Sequence, residues 1–194
     1  MTIKNEIQQL PDFLFAMKKY SFIPLTVLVF LYLNTSSVSA QEINPKITSI
    51  FLYNFTKYIK WPATAETGDF VIGIMDDSLV ETELQRMAAR VKVGGTRNIV
   101  LRKIAAKDVS AVQGCHILYV SRTEIKSLKH ISAAVGTAPV LLVTEGMGLA
   151  NKGSAISLYI DEESDKMKVE LSKKALEKSQ LRASSDLLAL AVVL

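Results

Sequence analysis

The first candidate for chemistry is GMGLANKG, residues 146–153, which follows an apolar run and begins G-x-G like a dinucleotide-binding loop. Such a loop holds a pyrophosphate only where it opens a helix, whose terminal amides and dipole face the phosphate. Here Asn151 stands where the third glycine belongs, and the residues that follow, ISLYI, read as a strand. The expectation is therefore a turn in which glycines supply positive φ, with no nucleotide or other cofactor. The loop still follows the carboxyl end of a strand, a common binding position, so Glu145, Met147, Leu149 and Asn151 are candidate partner contacts.

The remaining reactive residues do not combine. Neither His116 nor His130 has a second histidine or a cysteine at metal-ligand spacing, so no metal is expected. Serines are plentiful, but there is no G-x-S-x-G nucleophile elbow. Paired catalytic carboxylates would have to come from Asp76, Asp77 or Glu145, near the ends of apolar strands. Asp76 and Asp77 are read instead as a strand end and helix start, where the helix dipole favours acids. Cys115 is the one cysteine of the chain, which excludes an intrachain disulfide. It is read as a small buried thiol beside the strand ILYV, with an intermolecular disulfide as the alternative. No catalytic residue emerges, and the chain is not expected to be an enzyme.

The elements that position these residues alternate. Residues 46–60 have a helical period, with Ile47, Ile50, Phe51, Phe55, Tyr58 and Ile59 on one broad face and Pro62 closing the segment. FVIGIM (70–75) is a continuous apolar run of the kind found in a strand covered on both faces. A helix over 79–91 directs Leu79, Leu84, Met87, Ala88 and Val91 inward. A Gly94-Gly95 turn leads to the strand 98–101, a short helical piece over 105–112, the strand 116–120, a helix over 123–134 and the strand 140–143. This order predicts a single α/β domain with a mainly parallel central sheet flanked by helices. ISLYI (156–160) and MKVEL (167–171) add an antiparallel edge hairpin, its second strand wet on the face of Lys168 and Glu170. Ser172 can cap a helix over 173–180, and Ser184 or Ser185 a last helix, LLALAVVL. That helix is apolar nearly all round, so it must be buried in its own domain or across a homodimer; Leu187 is its candidate contact.

Within the first helix and its exit, YNFTKYIKWP (53–62), most rings share the apolar face and are read as core. Tyr53 lies off that face, and Trp61-Pro62 occupies the exit turn. Trp and Tyr are enriched at interface hot spots, so Tyr53, Trp61 and Pro62 are candidate partner contacts; a tryptophan plugging the end of a sheet fits equally.

Residues 22–33, FIPLTVLVFLYL, form an uncharged run of twelve after Lys18-Lys19 and before NTSSVSA. A basic start, a short apolar middle and a small-residue exit have the layout of a cleavable secretory signal peptide over residues 1–40. The run is short of the ~20 apolar residues that a spanning helix needs. A start at Met17 would leave residues 1–16 as an upstream extension. Residues 41–194 then form one domain. The chain carries 23 basic and 19 acidic residues; without the three lysines and two acids of residues 1–40, 20 face 17, a net +3. That balance, with no run of five like charges, gives no reason to expect nucleic acid as a partner.

The segments IFLYNFTKYIKWP, FVIGIMDD, GCHILYVS, VLLVTEGMGLANKGSAISLYI, KVELS and SSDLLALA, in this order and spacing, resemble the YfiR family, also called DUF4154. The resemblance spans about residues 46–192. It implies a periplasmic regulator that represses a membrane-bound diguanylate cyclase by gripping its periplasmic part. Release under envelope or redox stress raises cyclic di-GMP and favours biofilm. Some members use disulfides in this control, which the unpaired Cys115 does not support here. Two other functions are kept beside this one. The first is a periplasmic small-ligand receptor with a pocket at the carboxyl ends of the parallel strands, near Asp76 and Glu145. The second is a hydrolase, which the missing motifs disfavour.

Overall fold

The computed structural model describes residues 43–75 and 79–194. The expectations for the leader (1–40) and for Asp76-Asp77 lie outside the described residues.

The first described helix, α1 (Pro45–Tyr58), opens with proline at its first position and with the Asn44 side chain accepting from the Lys46 N–H at 2.9 Å. Both devices serve amides that have no partner inside a helix. The buried stripe is Thr48, Leu52 and Phe55, joined by Ser49. It is rotated from the expected face: Ile47 and Ile50 are exposed. Two polar bonds explain the rotation. Thr48 turns inward to donate to Glu145 at 3.2 Å, and the Ser49 hydroxyl donates back to the Lys46 carbonyl at 2.8 Å. The helix ends before Pro62, because Ile59–Lys60 becomes a short strand, β1, antiparallel to β8 (Arg182–Ala183).

The central sheet has seven strands in the order β3-β2-β4-β5-β6-β7-β9. In chain order they are β2 (Phe70–Met75), β3 (Ile99–Ile104), β4 (Ile117–Val120), β5 (Leu141–Glu145), β6 (Ile156–Asp161), β7 (Lys166–Leu171) and β9 (Val192–Val193). The run from β3 to β6 is parallel, and β7 pairs antiparallel with β6, as expected for the hairpin. Register aligns Ile74, Tyr119, Val143, Ile156 and Leu171 in one row across five strands. This row lies in the larger core, with Leu52 and Phe55 of α1 and with Val80 and Leu84 of α2 (Leu79–Ala88). Each such side chain contributes about 1.5–3 kcal/mol on full burial.

The opposite face packs Leu118, Val120 and Leu142 against Leu128, Ile131 and Val135 of α3 (Leu128–Val135). Gly73 of β2 keeps that layer thin. A Cβ there would stand 2.9 Å from both Cys115 Sγ and Ile104 Cδ1, so only glycine fits without repacking. Cys115 is buried and unpaired, and burial raises its thiol above the ordinary value.

Several expectations are corrected. Leu79 points outward, and Val80 takes its place in the core. The helix over 123–134 splits into a 3-10 stretch, Arg122–Ser127, and α3. The C-terminal LLALAVVL is not one helix. Helix α5 (Ser185–Leu190), capped by the Ser184 side chain, stops at Ala191, and Val192–Val193 then form β9 outside β7. The β-branched pair favours the extended state once β7 offers a free edge. Helix α4 (Lys173–Lys178) is capped by the Ser172 hydroxyl, which accepts from the Ala175 N–H at 3.3 Å.

Candidate functional site

The parallel strands give the sheet an amino edge and a carboxyl edge, and the candidate residues divide between them. At the amino edge the chain leaves β1 and places Trp61 against Phe70 at the head of β2, ring centroids 5.1 Å apart and nearly perpendicular. Phe70 in turn stacks on His116, just before β4, at 4.5 Å. The Trp61 indole N–H donates to the His116 carbonyl at 3.2 Å. Arg97, at the approach to β3, lies over the Phe70 ring. Its guanidinium donates to the carbonyls of Gly68 (2.7 Å), Asp69 (3.2 Å), Ala65 (3.3 Å) and Thr67 (3.4 Å), holding the segment 65–69 onto the sheet.

His116 is locked in one tautomer. Its Nδ1 accepts from the Val71 N–H at 3.0 Å, so the neutral ring carries its proton on Nε2, which donates to the Ala65 carbonyl at 2.8 Å and lies 2.9 Å from the Arg97 guanidinium. Burial lowers its pKa from the ordinary 6.5, and the Arg97 charge acts in the same direction, against the Ala65 hydrogen bond. A protonated ring would set a second N–H against the Val71 amide. The imidazole is thus a structural hydrogen-bond bridge.

Outside this aromatic cluster, a groove of about 540 Å³ runs between β1 and the α4–β8 segment, lined by Lys60, Trp61, Pro62, Glu177, Gln180, Leu181 and Arg182. Its wall is a helix terminus of the Schellman type. The Leu181 N–H donates to the Leu176 carbonyl at 2.9 Å and the Gln180 N–H to the Glu177 carbonyl at 3.0 Å. Gln180 takes the left-handed conformation (φ 57°) at the position that usually carries glycine.

The carboxyl edge is built differently. Glu145, at the end of β5, accepts from the Tyr119 hydroxyl at 2.5 Å and from the Thr48 hydroxyl at 3.2 Å, tying two strands to α1. On the opposite face, register aligns Thr144, Ser157 and Glu170 on neighbouring strands. Their hydroxyls join: Thr144 Oγ1 lies 3.0 Å from both Ser154 Oγ and Ser157 Oγ, and Ser157 donates to the Gly146 carbonyl. Both oxygens of Glu170 accept from the Gly148 N–H, at 2.8 and 2.9 Å. Glu170 is 5% exposed, so the expected wet face of β7 is wet at Lys166 and Lys168 but not at Glu170. The glycine loop, which in sequence resembles a phosphate cradle, presents this amide to a carboxylate of its own chain.

A family model described as YfiR/HmsC-like (DUF4154) matches residues 45–192. The chain belongs to this family. No curated protein sequence matches it. Among solved structures, a conserved domain protein from Vibrio cholerae O1 biovar eltor str. N16961 is similar, with a TM-score of 0.53 at 12% identity. The match covers 80% of this chain and spans 61% of that one, and at such identity it establishes the fold.

This YfiR/HmsC-like chain separates the eight candidate contacts. Trp61 and Pro62 line the amino-edge groove, with Trp61 itself buried. Tyr53, half-buried on α1, has the Lys57 ammonium over its ring at 4.5 Å. Glu145, Met147 and Asn151 belong to the opposite edge, where Met147 is 74% exposed and Asn151 is also exposed. Leu149 and Leu187 are buried in the two cores and act as anchors for their segments. Sequence reasoning passed over Lys60, Arg97, Arg182 and Glu170. The signal for Lys60 and Arg182 is tertiary, since 122 positions separate them. Among the described residues no cluster suited to a metal ion occurs, and no helix is long and apolar enough to cross a membrane.

Proposed function

We propose that this YfiR/HmsC-like protein is a periplasmic regulator that restrains an inner-membrane signalling protein, a diguanylate cyclase, by protein–protein contact. In this reading residues 1–40 are the leader that exports the chain, residues 41–194 act as one regulatory domain, and no bond is made or broken on its surface. The observation that carries the reading is the family match over 45–192, nearly the whole segment after the leader. The contact surface proposed is the Trp61-Pro62 turn with its groove, with Met147 and Asn151 as a second contact on the far edge. Such a regulator shifts its partner's equilibrium only by binding one conformation more tightly than the other.

Co-purification tests this. The tagged protein, expressed in its own cells and recovered from detergent-solubilised membranes, should bring down an integral membrane protein with a cyclase output. Its deletion should raise cellular cyclic di-GMP. Recovery of no membrane signalling protein, with unchanged cyclic di-GMP, refutes the reading.

A further inference from the structure

We propose that the amino-edge groove receives an acidic, extended segment of the partner protein. Its carboxylates would lie on Lys60 and Arg182, and an apolar side chain would lie against Pro62 and the edge of Trp61 that reaches the groove. The inference rests on the regulatory reading above and adds the chemistry of the contact.

The first argument is a charge conflict. Register sets Lys60 directly opposite Arg182 across the two-residue β1–β8 ribbon. Like charges facing each other across an antiparallel pair destabilise it. Among the described residues neither side chain makes an ion pair or a hydrogen bond with a carboxylate. Exposed cations without an ion pair are common in this chain; what sets Lys60 and Arg182 apart is that register places them against each other. A ribbon that keeps two facing cations is stabilised by an anion arriving between them.

The second argument is the surrounding field. The elements that wall the groove, α4, β1 and β8, carry Lys173, Lys174, Lys178, Lys60 and Arg182 against Glu177 alone. The net charge of residues 41–194 is close to neutral, so this excess is local and attracts acidic segments at long range. Chemistry then selects among anions. The groove's lining mixes the two cations with Trp61 and Pro62, a combination that acidic and apolar side chains of one peptide match better than headgroups alone. A carboxylate bound beside a buried indole also has the mix of polar rim and aromatic anchor typical of protein contacts.

Trp61 is the only tryptophan in the chain and lines the groove, so occupancy is read directly from intrinsic fluorescence excited at the red edge of its band. The probe is a glutamate–tyrosine random copolymer, with polylysine and phosphatidylglycerol vesicles as comparators. Binding of the copolymer should shift Trp61 emission and weaken with salt. The double variant Lys60→Glu/Arg182→Glu should lose about tenfold or more in affinity. Lys126→Glu/Lys129→Glu makes the same change in net charge at exposed positions away from the groove and should bind as wild type. The single variant Lys60→Glu places opposite charges across the ribbon, so it should melt no lower than wild type while still losing the copolymer. A structural role for the two cations predicts the reverse.

Equal loss in both double variants overturns the proposal, because it reduces binding to net charge. So does a vesicle interaction that depends on Lys60 and Arg182 when the copolymer's does not. Self-association abolished by Lys60→Glu, through the acidic 161–165 turn of a second copy, also overturns it. In the membrane co-purification, a partner captured equally by wild type and Lys60→Glu/Arg182→Glu sinks the groove but leaves the regulatory reading standing. Capture by neither sinks that reading.

Discussion

At the amino edge a guanidinium holds the segment 65–69 by its carbonyls; at the carboxyl edge a carboxylate holds the segment 146–149 by an amide. Both arrangements satisfy backbone groups that leave the sheet ladder, and both do so with a charge supplied from a neighbouring strand's end. They differ in what is left over. Glu170 meets the loop amide with its two oxygens, and Glu145 is engaged by Tyr119 and Thr48, so the carboxyl-edge acids have partners within the chain. The amino edge satisfies Arg97 in the same way but leaves Lys60 and Arg182 facing each other at a groove. That facing pair is the feature on which the proposed acidic contact rests.

The comparison can be broken first at Trp61. Truncation to alanine removes the keystone between Phe70 and the His116 carbonyl and leaves a cavity. It should cost about 3–5 kcal/mol in urea unfolding. A loss below 1 kcal/mol, in rough terms, would mean the amino edge is not held by this cluster. At the other edge Glu170→Ala strips the Gly148 amide of its acceptor in a buried site. A destabilisation of about 1–3 kcal/mol is expected, with faster hydrogen exchange at Gly148 than at the amides of β5. Uniform exchange would show that the latch does not control the loop.

Acid should also distinguish the edges. The folded-state pKa of His116 is lowered, so its contribution to stability is complete above the ordinary value of 6.5 and is lost as pH falls through the folded-state value. Melting temperature should therefore decline below pH 6.5, and His116→Gln should flatten that part of the profile while Glu170→Ala leaves it in place. An unchanged slope in His116→Gln would remove His116 as its source. The smallest effect expected is a gain. Gln180→Gly relieves a left-handed side-chain residue at the end of α4 and should stabilise the fold by about 1 kcal/mol. A loss instead would show that the glutamine side chain, which donates to the Thr137 carbonyl at 3.4 Å, outweighs the backbone cost.

Apolar periodicity in the amino-acid sequence was enough to establish the alternation of strands and helices, because buried parallel strands are written as runs such as FVIGIM and ILYV. The β6–β7 hairpin, the cap at Ser172 and the burial of Cys115 were legible for local reasons, and the last cap was narrowed to Ser184 or Ser185, of which the structure uses Ser184. The rotation of α1 was not, since Thr48 faces inward for a glutamate 97 residues away. Nor was the split of LLALAVVL, whose last residues extend because β7 has an open edge to pair with. Trp61-Pro62 could be put forward as a contact from residue type alone. The pairing of Lys60 with Arg182 and the burial of Glu170 under the glycine loop could not. Local sequence specifies which face of an element is apolar. Which charges end up facing one another depends on strand register, and register is settled only when the whole sheet closes on its core.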